Sequence, residues 1–235
     1  MALPEKSQIT VEVRPRTVVG ILVVIAGLLV LAHYGGLAVG DGFDQGWRSQ
    51  LRRITDLNDE TSIGTWYSSA LLLLTAALAA LHLNRGHYQD RLGWAVVAGA
   101  ALFLSIDEAT AIHERLDVLH EILDLNTATT FLWIVPYSLG LIGVIAVLRP
   151  FLGRLPARTK RWLLIGVGLY LTAVLGLELV AAGARELSWD TLVEDVLIPI
   201  EEGLEMVGIS VFIFALLDLA RPTVDAERVK AALTR

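Results

Sequence analysis

Six acidic residues stand at places where the surrounding sequence is apolar enough to lie in a membrane. Asp107 and Glu108 close the run Trp94–Leu104, and His113 and Glu114 follow within two turns. Glu178 interrupts a second such run, and Glu201, Glu202 and Glu205 open a third. A charged side chain inside an apolar span is costly and faces a protein interior or a water-filled cavity. Several carboxylates at one depth cannot all be ionised without compensation, because like charges repel strongly away from water. Protonation, a nearby Arg115 or Arg185, or a bound cation would each supply it.

Carboxylate with imidazole suits Zn, Mn or Fe, and carboxylate with carbonyl suits Ca, Mg or Mn. The expected site is therefore a divalent metal cation of open identity, held by Asp107, His113, Glu114, Glu178, Glu201 and Glu205. Glu202 and Glu108 are the expected general acid and base beside it. The pattern does not name the metal. The Glu-x-x-His pairs of bundle di-iron sites are missing, Asp117-x-x-His120 being the nearest analogue, and so is His-Glu-x-x-His. The chain has no Cys, which excludes disulfides, thiolate metal sites and attached c-type haem.

Each of these residues also has a plainer reading. Glu114, Asp117 and Glu121 suit the solvated face of a helix extension. Glu194 and Asp195 suit a helix start, where acids are favourable. Glu178 lies two turns before Arg185 on the same face, a spacing that allows an ion pair. His33 and His82 suit packing. Glu108 points about 100° away from Asp107 on a helix, so one of the two is expected to face the cluster.

The elements that position these residues follow from composition. Of 235 residues, 54% are hydrophobic, which places the chain in the membrane class. Runs of about 20 apolar residues can cross a bilayer as helices. Six occur, near 18–40, 63–83, 92–112, 128–148, 162–184 and 196–220. The first is too long for a cleavable signal and lacks an Ala-x-Ala-like site. The longest loop, 41–62, holds a candidate interfacial helix from Trp47 to Ile54. Of the 19 Lys and Arg, 14 fall on the side of the two tails and 5 on the other, so both termini are expected in the cytoplasm.

With a rise of about 1.5 Å per residue, Asp107, Glu178 and Glu205 lie roughly 21, 24 and 22 Å from the inner face, in the outer third of the bilayer. The third helix is expected to continue past the membrane, with Asp107, Thr110, Glu114, Asp117 and Glu121 in one stripe and His113 and His120 beside it. Pro199 should weaken backbone bonding just before the acids of the sixth helix. Ser105–Ala109 and Pro199–Gly203 look alike three spans apart, a short echo of an inverted repeat.

The expected fold is an all-α bundle of six transmembrane helices (18–220) between cytoplasmic tails at 1–17 and 221–235, in the inner membrane. The expected function is a metal-dependent enzyme acting on a lipid-like or membrane-proximal substrate. A cation or proton transporter using the same acids, and a structural subunit of a larger complex, are the alternatives. The lipid bilayer is the expected partner, an oligomer or partner subunit is compatible with the sequence, and nucleic acid is not expected.

Overall fold

The computed structural model describes residues 14–38, 46–85, 90–116 and 134–220. All regular structure among them is helical, in the order α1 (Pro15–Ala38), α2 (Trp47–Thr55), α3 (Ile63–Arg85), α4 (Arg91–Thr110), α5 (Ile112–Arg115), α6 (Ile134–Arg154), α7 (Ala157–Leu171), α8 (Glu178–Glu186), α9 (Asp190–Leu192) and α10 (Ile198–Leu219). A π turn, Thr172–Leu177, joins α7 to α8 without a break, and a second, Val193–Leu197, leads into α10. Five helices are long and apolar enough to cross a membrane: α1, α3, α4, α6 and the continuous α7–α8. The chain is a multi-pass membrane protein by this measure. Helix α10 spans 22 residues but carries Glu201, Glu202 and Glu205 in its first third.

Helix α10 is the core strut. It packs against α7, α1 and α3, and its residues Met206, Ile213, Ala215 and Leu216 are fully buried. Where α7 and α10 cross, their backbones touch through glycine. A Cβ on Gly166 would stand 2.8 Å from Gly208 O and Phe212 N, and one on Gly208 would stand 2.8 Å from Tyr170 N. Small residues at such crossings let membrane helices gain dispersion contact that lipid cannot supply.

Helices α3 and α4 form the second tight pair. Ser69 donates to Ser105 O at 2.8 Å and Ser105 donates to Ser69 O at 2.9 Å, fixing the height of α4 just before Asp107. The helix ends far from the acids are tied by Arg154–Asp90 and Arg158–Asp218, both at 2.8 Å. Both histidines given a packing role have one. His82 sits 3.0 Å from Leu216 O and stacks on Trp94, while His33 Nδ1 accepts the Leu57 N–H at 3.2 Å.

Two expectations change. Helix α4 does not run on through residue 121: it ends at Thr110, and Ala111 adopts φ 49°. The acid stripe is therefore cut after its second member, and Asp117, His120 and Glu121 lie outside the described residues. Helix α6 runs to Arg154 rather than ending near 148, carrying Pro150 inside its last turn. Phe151 explains the extension, since it is buried against Gly93 and stacks edge-on to Trp94, which outweighs one lost backbone bond. The helix expected in the long loop is present as α2, with no buried residue.

Helix α6 differs from the other spans. It is the least buried, leans on α4, and exposes Val135, Leu139, Ile142 and Ile145. The wall between α6 and α7 is correspondingly loose. If the glycine crossing sets the bundle, Gly166→Ala should lower stability by about 1–3 kcal/mol through overpacking against backbone. Gly99→Ala, in a position with nothing within 4 Å, should not lower it. Unfolding midpoints in detergent would separate the two.

Candidate functional site

The break at Ala111 builds the first half of the site. On a straight helix residues 107 and 113 would point about 120° apart. The left-handed residue reverses the chain, so that Asp107 Oδ1 accepts the His113 N–H at 2.9 Å and Oδ2 lies 3.2 Å from His113 Nδ1. Asp107 is 6% exposed. Tyr137 of α6 brings its hydroxyl to the same carboxylate, and its ring meets His113 edge-on at 6.5 Å. One carboxylate thus holds an imidazole and the turn that carries it. An aspartate that grips one ring nitrogen fixes the tautomer and orientation of a histidine.

The two π turns build the second half. In a regular helix Glu178 would lie about 80° off the line of Tyr170, eight residues earlier; a turn that absorbs one extra residue cuts this to about 20°. Tyr170 and Glu178 then face one cavity. The π turn before α10 has a local cause. Pro199 has no N–H to give the carbonyl of Asp195, so the wider turn forms just ahead of it. Beyond it Glu201, Glu202 and Glu205 share a face, one turn from the Gly166–Gly208 crossing that brings this face to α7.

The cavity so formed measures about 1320 Å³. One end is lined by Glu60, Asp107, Glu108, His113, Glu178, Arg185, Glu201, Glu202 and Glu205. Below them the lining turns apolar, through Val96, Ala100, Leu141, Val144 and Leu148 to Phe151 and Leu163. Acids from α4, α8 and α10 therefore surround one space. Both Asp107 and Glu108 line it, against the expectation that one of the two would face the cluster: the space is wide enough to take side chains about 100° apart on one helix. Glu178 lies 3.8 Å from Arg185, the pairing that their spacing allowed, and Glu201 feels both charges. Glu201 and Glu205 are 9% and 8% exposed, and the Glu202 Oε2 atom is buried with no hydrogen-bond partner among the described residues. The Glu114 side chain lies outside the described residues.

The metal expectation fares less well. Among the described residues no three His, Asp or Glu side chains are arranged to hold a metal ion. The geometry gives the reason: Asp107 commits both oxygens to His113, and Glu178 leans on Arg185, so the imidazole and the remaining acids do not converge.

Three lining residues escaped the sequence reading. Tyr137 and Tyr170 carried a faint signal, a hydroxyl within an apolar span. Glu60 carried none, since only the fold brings its loop to the mouth. That loop is held by Asp59. The Thr61 hydroxyl and the Thr61 N–H (2.8 Å) both donate to its carboxylate, and Arg53 donates at 3.0 Å. These donors, Thr61 first, hold the Asp59 carboxyl below its ordinary value of 3.8.

A family model described as a domain of unknown function (DUF8692) matches residues 17–220. No curated protein and no solved structure matches the chain.

Because the Asp59 carboxyl is depressed in the folded protein, the support it gives the loop is complete at neutral pH and disappears as pH falls through that lowered value. Asp59→Asn should melt below the parent protein at pH 7, and the gap should close as the pH is lowered below about 3.8, which melting curves across that range would measure.

Proposed function

The chain belongs to the DUF8692 family, and because no activity is defined for that family we propose from the geometry that this is a membrane protein that takes a lipid-like molecule from the bilayer and presents its polar group to an acid–base site. The supporting observation is the cavity itself. Its carboxylate-lined end continues without a partition into an apolar channel along α4, α6 and α7. Water-soluble ligands have no use for such a channel, whereas an amphiphile needs both ends. The weak α6–α7 contact gives lateral access from the membrane.

In this reading the protein has six spans, α10 being the sixth, with both termini in the cytoplasm of an inner-membrane protein. The charge distribution supports that orientation, and it puts the acid end near the outer headgroups, where a lipid carries its polar atoms. Asp107 orients His113 and compensates the positive charge that the ring gains on taking a proton. Glu202 and Glu108, which line the same cavity and make no ion pair among the described residues, serve as proton donor and acceptor. A relay through to the cytoplasm is less well served, because the lower lining (Val144, Leu148, Phe151, Leu163) is apolar.

Two measurements test this. Ala100 lines the channel away from the acids, so Ala100→Trp should obstruct it while leaving the pocket charges in place. Native mass spectrometry should find lipid retained by the parent protein and several-fold less by the variant; a parent protein that carries none under mild extraction would refute the reading. Since the chain has no Cys, single cysteines report sidedness cleanly. Ser188→Cys should react with an impermeant maleimide on intact cells, and Lys230→Cys only after lysis.

A further inference from the structure

The charge balance of the cavity says more about its occupant than the cavity's shape does. Seven acids line it: Glu60, Asp107, Glu108, Glu178, Glu201, Glu202 and Glu205. The basic groups among the described lining residues are His113 and Arg185. His113 is held by Asp107, and Arg185 lies by Glu178. Glu108, Glu201, Glu202 and Glu205 make no ion pair among the described residues. They are also withdrawn from solvent, with Glu205 more than nine-tenths buried and the Glu202 Oε2 atom buried and without a partner. Glu108, Glu202 and Glu205 lie close enough to one another to interact electrostatically. Uncompensated carboxylates in such surroundings hold protons or attract a cation.

We infer that the occupant's polar group is a cation attached to an apolar chain, in chemical terms a long-chain amine. This rests on the reading of the cavity as a lipid site and narrows it to one headgroup class. An ammonium supplies three N–H donors and no acceptor, which matches a ring of acceptor oxygens. A phosphate or carboxylate headgroup would add negative charge to a pocket whose one arginine already faces Glu178. A neutral alcohol could accept from a protonated acid but would leave the remaining charge unbalanced. The apolar channel then takes the chain, with burial contributing about 25 cal/mol per Å² of apolar surface.

The test uses the full-length protein in phosphatidylcholine nanodiscs and three probes of equal length: dodecylamine, dodecanol and dodecanoate, each corrected for partitioning into empty discs. Dodecylamine should bind at least tenfold more tightly than dodecanol, and dodecanoate most weakly. The double change Glu202→Gln with Glu205→Gln should bring the amine down about tenfold to the level of the alcohol. Dodecanol binding should not change, which shows at the same time that the variant is folded. Equal binding of amine and alcohol by the parent protein would overturn the headgroup assignment while leaving the lipid channel standing. Binding of none of the three would remove the channel reading itself. Displacement of dodecylamine by butylamine or calcium at matching concentrations would mean that the pocket takes a free cation, and would overturn the amphiphile.

Discussion

A carboxylate that its own helix carries to membrane depth must be turned away from hydrocarbon, and most of this structure is the means of turning. Left regular, α4 and α7–α8 would not direct both Asp107–His113 and Glu178 at a common space. Each is altered locally. A left-handed residue ends α4, and a wider turn rephases α7 against α8. Helix α10 receives the same treatment through Pro199 and the π turn ahead of it. These departures cluster on the acid-bearing elements, at the level of the acids. Irregular backbone at this depth is tolerated where it faces protein or a cavity.

The remainder of the bundle holds those altered segments in place. The glycine contact of α7 with α10 brings the face bearing Glu202 and Glu205 close to Tyr170. The reciprocal serine pair between α3 and α4 sets the height of Asp107. At the end of the bundle away from the acids, two ion pairs and the edge-on Phe151–Trp94 contact tie the helix ends together. Energetically these are contacts of helix with helix, since between membrane helices the gain comes from close packing and hydrogen bonds rather than from expelling water.

Much of this was legible in the sequence, for reasons that differ by residue. Apolar run length located the five helices that are long and apolar enough to cross a membrane, though the fourth ends six residues beyond its run. The rise per residue placed Asp107, Glu178 and Glu205 at one level, and they do face a shared space. The i,i+7 spacing of Glu178 and Arg185 foretold their pairing. What failed was the assumption of regular helix. Nothing in Glu108–Ala–Thr–Ala–Ile–His113 marks Ala111 as left-handed, since the conformation is imposed by the bonds that Asp107 makes to His113. The metal expectation finds no support among the described residues, and counting likely ligands says nothing about which of them have already found other partners.

The attachment of α6 has a mechanical meaning. The helix is pinned at one end by Phe151, and at the other Tyr137 meets Phe103 and His113, with little lateral support from α7 between. Those two points are 14 residues apart, about 21 Å along the axis. A helix held mainly at one end moves as a lever, so a tilt of about 5° about Phe151 shifts Tyr137 by about 2 Å. The α6 wall is therefore the part of the cavity lining that can stand nearer to or farther from α7 at the least loss of contact.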